Sequence, residues 1–296
     1  MKINICIVGH GTWGKIILNN ILLNKNYNLI MLVTSQKKIH SKLPKNTIVT
    51  KRYKDVIKYK NIKAAFIVTS PAKQIEISQF YLKNKISLLL EKPVALNLQN
   101  IKKIIELKNK FKKLILINYV YLYHPIIMYL KDLFSKNKEV VNFIKTKGGD
   151  NKPARSYIPT LFDWGPHDLS ILMFFFKEFK LIDCLSEKKY RRINYILFLK
   201  HNDKNISSLT FGNNFNYKKR IIEIYTDKNV YNIDLVQNIL LKGKKKISNF
   251  KIKTTPLQNM LNYFHKNFNN SKIYNRDLKD SILLTKILLE KKEKNI

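Results

Sequence analysis

The sequence contains little cysteine, few acidic residues and no hydrophobic run long enough to cross a membrane. Its two cysteines, Cys6 and Cys184, are far apart, and Cys6 lies within a predicted buried strand. We therefore expect neither a structural disulfide nor a metal site, and a reducing cytoplasm is the simplest setting. The chain starts directly with a strand pattern, which is not typical of a signal peptide, and we expect no membrane partner.

The shortage of acidic residues leaves a net charge of +36, with 20 Asp and Glu against 56 Lys and Arg. Such a charge raises the possibility of a nucleic-acid-binding protein. Only six of the basic residues are arginine, however, and arginine is better suited than lysine to bidentate recognition of phosphates and bases. The lysines are spread along the chain, and no helix-turn-helix, zinc-finger or RRM-like motif is present. We expect no specific nucleic-acid partner, and codon bias in an AT-rich genome accounts for the abundant Lys, Asn and Ile.

A glycine-rich turn opens the chain. The apolar run 3–8 predicts a buried strand, G-x-G-x-x-G follows at once, and a helix pattern comes next. In this context Gly9 allows a tight turn, Gly11 lets the backbone approach a pyrophosphate, and Gly14 lets helix and strand pack closely. The helix N-terminus then offers unpaired N–H groups to the phosphates. The cofactor contacts predicted here are Gly9, Gly11, Thr12, Trp13 and Gly14.

The first part of the chain alternates strand and helix patterns. Further buried strands are predicted over 29–33, 64–68, 86–90 and 114–117, and Asn97 is a candidate cap for the helix that follows it. This alternation indicates a parallel sheet covered on both faces, in which ligands bind beyond the carboxyl ends of the strands. Those ends carry Gly9, Ser70, Glu91-Lys92-Pro93 and Asn118. We predict Ser70, Pro71, Glu91 and Lys92 as cofactor contacts.

Strand patterns dominate after about residue 135. They cover 140–146, 193–199, 206–211, 221–225, 230–235 and 239–241, which indicates a mostly antiparallel sheet. Helices are expected around 168–176, 257–268 and 278–292. The sequence has no internal repeat and no flexible linker. We therefore predict an α/β protein with a dinucleotide-binding domain over 1–119, a substrate-binding and oligomerisation domain over 120–296, and a cleft between them.

Lys92 is the first candidate catalytic residue. It follows a predicted central strand, where its amine could hydrogen-bond a substrate oxygen and stabilise negative charge on it. Pro93 restricts the backbone of Lys92 and could aim its side chain. The alternative is a solvated lysine, which is common in a chain this rich in lysine.

The segment Asp163-Trp164-Gly165-Pro166-His167-Asp168 is the second candidate. We expect Gly165 and Pro166 to turn the chain at a helix start, so that Asp163 and His167 both reach a cleft. Histidine can move a proton near neutral pH, and a neighbouring carboxylate can orient it. The alternative is that Asp163 or Asp168 caps the helix and His167 is a packed surface residue.

The order of G-x-G-x-x-G, E-K-P and D-x-G-x-H resembles the Gfo/Idh/MocA oxidoreductases over nearly the whole chain. The resemblance implies a Rossmann domain, a C-terminal α/β domain built on an open, mostly antiparallel sheet, and NAD or NADP as cofactor. It implies that Lys92 contacts the reacting oxygen, that His167 donates or accepts the proton and that Asp163 is its partner. It also implies a sugar, nucleotide sugar or polyol as substrate, and a homo-oligomer formed through the sheet.

Three positions depart from that family's pattern. Gln74 stands where a histidine is frequent, Leu122 precedes the aromatic residue where an arginine is frequent, and Ser170 stands where an aspartate is frequent. Because these positions are expected around the substrate pocket, the departures bear on the identity of the substrate.

The end of the second strand favours NADP over NAD. An acidic residue at this place normally binds the ribose 2′-hydroxyl of NAD. Here the strand is followed by Thr34-Ser35-Gln36-Lys37-Lys38, and Ser35, Lys37 and Lys38 could bind a 2′-phosphate. The sequence thus predicts a cytoplasmic oxidoreductase that uses NADP, with NAD as the alternative cofactor. A non-catalytic nucleotide-binding module and, less favoured, a basic nucleic-acid-binding protein are the alternative functions.

Overall fold

The computed structural model describes residues 1–39, 42–201, 205–247, 252–269 and 276–293. The chain divides into two units. The first consists of Met1–Asn118 and Leu257–Thr285, and the second of Tyr119–Pro256 and Lys286–Ile296. The predicted boundary near residue 119 agrees with this division, but the segment 257–285 groups with the first unit and not with the second.

The first unit contains a parallel sheet of six strands in the order β3-β2-β1-β4-β5-β6. This is the strand order of a Rossmann fold. Strand β3 has only three residues and was not predicted. The strands are β1 (Ile3–Val8), β2 (Tyr27–Val33), β3 (Ile48–Thr50), β4 (Ala64–Ile67), β5 (Ser87–Leu90) and β6 (Ile115–Ile117). The helices are α1 (Thr12–Leu23), α2 (Pro71–Lys83), α3 (Leu98–Phe111), α6 (Pro256–Lys266) and the first part of α7 (Arg276–Glu293).

Helix α6 joins the first unit through an aromatic cluster on the sheet. The rings of Tyr27 and Phe66 lie 5.5 Å apart, and those of Phe66 and Phe264 lie 5.3 Å apart, both edge to face. The Tyr27 hydroxyl also donates a hydrogen bond to the Leu261 carbonyl at 2.6 Å. These three aromatic side chains are buried. The burial of this surface explains why a segment so late in the sequence belongs to the first unit.

The second unit contains a sheet of eight strands in the order β14-β13-β12-β11-β7-β10-β9-β8. Its described pairs are antiparallel except for β7 with β10, which confirms a mostly antiparallel sheet. The strands are β7 (Val141–Gly149), β8 (Lys180–Lys189), β9 (Arg192–Lys200), β10 (Ile206–Gly212), β11 (Lys219–Thr226), β12 (Val230–Asp234), β13 (Ile239–Lys242) and β14 (Lys245–Lys246), with helices α4 (Pro125–Asn137) and α5 (Thr160–Phe175).

Helix α5 begins at Thr160, well before the predicted start near residue 168. The expected turn at Gly165-Pro166 is therefore wrong. Pro166 cannot donate a backbone hydrogen bond, which costs the helix one bond. The buried side chains of the helix offset that cost, and Gly165 leaves room for Phe211 and Leu288 to pack against it.

No helix of the described ranges is long and apolar enough to cross a membrane.

Candidate active site

The three glycines of the glycine-rich turn meet three different surroundings. Gly9 has φ +102°, and a Cβ there would overlap the carbonyl oxygen of Val68. A Cβ on Gly14 would overlap the carbonyl oxygen of Gly9, so this glycine lets α1 pack against the turn. A Cβ on Gly11 would meet no atom within 4 Å. The turn thus needs glycine for its own packing at positions 9 and 14, whereas Gly11 borders open space.

A cavity of about 450 Å³ lies beside this turn. Its polar and charged lining includes two lysines and no carboxylate. Burial and the neighbouring Glu76 carboxylate raise the pKa of Tyr53 to about 12, so this phenol is a neutral hydrogen-bond donor. The residues around the cavity are Val8, Gly9, His10, Gly11, Val33, Thr34, Ser35, Gln36, Lys51, Tyr53, Thr69, Lys73 and Ile77.

The cavity fits a dinucleotide. His10 is buried, and its Nδ1 lies 3.0 Å from Oε1 of Gln36. Its Nε2 has no hydrogen-bond partner among the described residues, although buried polar atoms are normally paired. A phosphate or ribose group would suit this place. It would find open space at Gly11, the unpaired N–H groups at the N-terminus of α1 and this imidazole nitrogen. Among the described residues, no group of His, Cys, Asp and Glu is arranged to hold a metal ion.

The carboxyl ends of the parallel strands meet at one edge of the first unit, as predicted. The backbone N–H of Gly9 donates to Val33, that of Glu91 to Ile67 and that of Asn118 to Leu90. The Asn118 side chain also donates to the Glu91 carboxylate, with Nδ2 and Oε1 2.6 Å apart. Lys92 is half-buried and follows Glu91 directly on this edge.

Asp163 and His167 lie one turn apart on α5 and therefore on the same face of the helix. Oδ1 of Asp163 is 3.4 Å from Nη1 of Arg155. The His167 ring contacts the Tyr121 ring edge to face, with the centroids 5.1 Å apart, and its centroid lies 6.3 Å from that of Trp164. His167 is half-buried and is held by aromatic neighbours of the second unit.

A buried ion pair lies next to this aromatic group. Nη1 of Arg220 is 2.6 Å from Oδ2 of Asp168, and the two side chains are 1% and 0% exposed. The Arg220 guanidinium lies 4.6 Å from the Tyr121 ring centroid. Burial alone lowers the pKa of Arg220, but the charge of Asp168 and the interaction with Tyr121 outweigh that effect and raise it. Asp168 is therefore the partner of a permanent cation and does not cap the helix.

Gly148 on β7 provides the space for this cation. Arg220 pairs with Gly148 across β7 and β11, and a Cβ on Gly148 would overlap the guanidinium. Residues 220, 222 and 224 of β11 are buried and share one face of the sheet. Side chains alternate between the two faces of a strand, so an apolar side chain would be expected where Arg220 stands. The sequence analysis did not select Arg220; its place in the alternation of β11 and the scarcity of arginine are the signals that could have singled it out.

The predicted cofactor contacts fall into several groups. Gly9, Gly11 and Ser35 line the cavity, whereas Thr12, Trp13 and Gly14 form the first turn of α1. Ser70 and Pro71 begin α2, and Glu91 and Lys92 follow β5. Lys37 is exposed and is not a lining residue. Of the predicted catalytic residues, Lys92 belongs to the first unit, and Asp163 and His167 belong to the second.

The sequence analysis did not select Lys51 and Lys73, which line the cavity. Lys51 follows the short β3, and Lys73 lies in the first turn of α2. Nζ of Lys73 is 3.2 Å from Oε2 of Glu76, whereas Lys51 has no ion pair with any described residue. With 50 lysines in the chain, only recognition of β3 would have singled out Lys51.

Residues 3–119 match the family model described as an oxidoreductase family with an NAD-binding Rossmann fold. The match identifies the first part of the chain as an NAD-binding Rossmann domain of the Gfo/Idh/MocA oxidoreductase type. It supports an NAD(P)-dependent dehydrogenase or reductase. A comparison with curated protein sequences found no match.

Several solved structures share the fold over almost the full chain. UDP-N-acetylglucosamine 3-dehydrogenase from Acidithiobacillus ferrooxidans superposes with a TM-score of 0.82 at 13% identity, covering 98% of this chain and 96% of that one. Myo-inositol dehydrogenase from Corynebacterium glutamicum gives 0.81 at 13% identity, covering 99% and 96%. Biliverdin reductase from Synechocystis sp. PCC 6803, solved with biliverdin and NADP⁺, gives 0.74 at 15% identity, covering 96% of each chain. At these identities the likeness concerns the fold.

Proposed function

We propose that this oxidoreductase transfers a hydride between NADP and the hydroxyl or carbonyl carbon of a sugar, nucleotide sugar or polyol. The observation that carries the proposal is the position of Lys92, which lies at the same strand edge as the glycine-rich turn. An amine at this edge is placed near a bound dinucleotide, because ligands of such sheets bind beyond the carboxyl ends of the strands.

Three side chains carry the proposed chemistry. A bound nicotinamide dinucleotide supplies the hydride in the reducing direction. Lys92 donates a hydrogen bond to the substrate oxygen and stabilises the negative charge that develops on it. His167 supplies the proton to that oxygen, and Asp163 orients the imidazole. Arg155 pairs with Asp163 on the same unit.

The substrate class is supported by two of the solved structures. Their names state action on UDP-N-acetylglucosamine and on myo-inositol, both of which carry several hydroxyl groups. A lysine and a histidine suit a CH–OH or C=O group. The lysine stabilises negative charge on the oxygen, and the histidine donates or accepts its proton. Biliverdin reductase is a different kind of reductase on the same fold, so reduction of an unsaturated carbonyl compound is the alternative within this class.

The cavity supports NADP over NAD. Its described lining includes no carboxylate that would repel a 2′-phosphate, and it includes Ser35, Gln36 and two lysines. Lys51 is the cation best placed for the phosphate, because Lys73 already pairs with Glu76. Lys37 was predicted for this role, but it does not line the cavity.

The second sheet supports a homo-oligomer. Its outward face is partly apolar: the Phe143 and Tyr225 rings stack 4.2 Å apart, and Leu185 is half exposed. Lys145 and Glu223 pair in register on the same face, so a two-fold axis could bring each against its opposite charge. Sedimentation velocity of a Leu185→Asp variant tests this assignment, with dissociation to monomers expected. Cys6 and Cys184 are buried and form no disulfide, which supports a reducing cytoplasm as the setting.

The first experiment is a titration of NADPH and NADH into the purified protein, followed by nicotinamide fluorescence at moderate salt. We expect NADPH to bind at least about tenfold more tightly, since one charge-assisted phosphate contact contributes about 1.5 to 3 kcal/mol. Ser35→Asp and Lys51→Met should each remove most of that preference and leave NADH binding unchanged. Lys37→Met is the matched control and should leave both affinities unchanged.

Turnover is tested with a set of keto-sugars, nucleotide sugars and polyols, with Lys92→Met and His167→Asn as the variants. Equal binding of the two cofactors would refute the NADP assignment alone. Tight NADPH binding with no turnover on any substrate would favour a non-catalytic nucleotide-binding module. Failure of the folded protein to bind either cofactor, together with salt-sensitive binding to nucleic acid, would favour the nucleic-acid alternative.

A further inference from the structure

We infer that Gln74 is a positioning residue for Lys92. Its carboxamide holds the backbone of residues 91–94 in the conformation that presents the Lys92 amine. The inference rests on the catalytic role proposed for Lys92. Gln74 was expected near the substrate pocket, but it is fully buried under the turn, which gives it a different role.

One carboxamide binds the backbone on both sides of Lys92. Nε2 of Gln74 lies 2.9 Å from the carbonyl oxygen of Glu91, and 3.2 Å from those of Pro93 and Val94. Its Oε1 accepts a hydrogen bond from the backbone N–H of Glu91 at 2.9 Å. The residues before and after Lys92 are therefore tied to the same point of α2.

The chemistry of the turn explains the need for an amide. Three carbonyl oxygens converge there, and a carboxamide nitrogen has two hydrogens to share among them. Pro93 has no backbone N–H with which to satisfy a neighbouring group. A glutamate would direct acceptors at these carbonyls, and an apolar side chain would remove the donor that Nε2 supplies to them.

The side chain of Glu91 receives separate support from Asn118. Asn118 therefore fixes a side chain of the turn, whereas Gln74 fixes the backbone that carries Lys92. Loss of the Gln74 contacts should let residues 91–94 shift. A displacement of about 1 Å at a catalytic group can reduce a rate by about 100-fold.

Gln74→Glu and Gln74→His form the test, each made in the wild type and in Lys92→Met. Glutamate keeps the shape of glutamine but loses its donors, and histidine keeps one donor and one acceptor. With the substrate identified by the screen, Gln74→Glu should lower kcat by about 10- to 100-fold and change KM and the NADPH Kd by less than about threefold. Gln74→His should keep most of the wild-type kcat. In Lys92→Met, Gln74→Glu should have no further effect, because the two residues act as one unit.

Hydrogen exchange of the full chain gives a readout that needs no substrate. Backbone amides of residues 90–95 should exchange faster in Gln74→Glu than in the wild type, with Gln74→His close to the wild type and α3 unchanged. Unchanged exchange in a folded Gln74→Glu protein would overturn the inference, as would an equal loss of kcat in both backgrounds. If Lys92→Met alone leaves kcat unchanged, the proposed role of Lys92 fails and the inference fails with it. If Gln74→Glu does not fold, Gln74→Asn, whose carboxamide is one methylene shorter, takes its place in both measurements, and Gln74→His remains the control.

Discussion

The two units form their candidate sites in different ways. In the first unit, the site groups follow strand ends, and the glycine-rich turn is continuous in sequence. In the second unit, Asp168 on α5 binds Arg220, which lies 52 residues later on β11, in a sheet that only the folded chain assembles. The site groups of the first unit therefore show in local motifs. In the second unit, Asp163 and His167 also share one segment, but the ion pair beside them joins partners that no local pattern links. The predictions below test this contrast.

The largest effect is expected when the ion pair of the second unit is broken. Arg220→Met would leave the Asp168 carboxylate buried without its cation, which should lower the free energy of unfolding by about 3 to 5 kcal/mol. Urea denaturation followed by tryptophan fluorescence measures this, and a Trp13→Phe background leaves Trp164 as the only tryptophan, in the second unit.

The double variant Asp168→Asn, Arg220→Met is the control, and it should recover part of the lost stability because it removes both charges. A loss below about 1 kcal/mol in Arg220→Met would mean that the pair contributes little. The contrast between a local and a long-range site would then be much weaker.

Gly14→Ala should have the next largest effect, in the first unit. The new Cβ would overlap the Gly9 carbonyl, so we expect a loss of at least about 2 kcal/mol of stability and weak NADPH binding. Gly11→Ala is the matched variant: its Cβ enters open space, so stability should fall by at most about 1 kcal/mol. NADPH affinity should nevertheless fall about tenfold if Gly11 borders the pyrophosphate.

Urea denaturation and the NADPH titration separate the two effects. If Gly11→Ala binds NADPH as tightly as the wild type, the assigned role of Gly11 is wrong. Equal destabilisation by the two substitutions would contradict the different surroundings of the two glycines.

Most of the first unit could be predicted because its information is local. The strand over Ile3–Val8, the cap at Asn97 and the strand ends at Ser70 and Glu91 are as the sequence indicated. The missing part was β3, whose three residues are too few to show a period. Lys51 could not be placed for that reason.

The second unit shows why local rules fail. Gly165-Pro166 is normally a break, yet tertiary packing keeps it helical. The partner of Asp168 could not be identified, because strand register decides which residue of β11 reaches α5. Strands were predicted over most of β7 and β10, but no local pattern shows that these two strands pair in parallel. Strand β8 is mostly exposed and lacks the apolar pattern that would reveal a strand.

A smaller effect concerns the acid stability of the second unit. Burial lowers the pKa of His124 from 6.5 to about 4, so the folded state keeps this imidazole neutral. The unfolded chain takes up the proton first as the pH falls, and stability present above pH 6.5 is lost between about 6.5 and 4. Between pH 7.5 and 5, the loss from this group should be about 1 to 2 kcal/mol.

His124→Asn tests this assignment, because asparagine can also cap α4, where the histidine Nδ1 accepts from the Ile126 N–H. Urea denaturation at the two pH values should show a smaller pH-dependent loss in the variant than in the wild type. The same loss in both proteins would assign the acid sensitivity to other groups.

The smallest effect is expected for a contact of the first unit that the sequence alone predicted. Oδ1 of Asn97 accepts from the Asn100 N–H at 2.9 Å and caps α3. Asn97→Ala should lower the free energy of unfolding by about 1 kcal/mol, because one helix N–H loses its partner. Asn97→Asp is the control and should keep the cap, with a favourable charge at the helix start. If Asn97→Ala leaves the free energy of unfolding unchanged while Asn97→Asp raises it, the charge at the helix start would matter and the hydrogen bond of the cap would not.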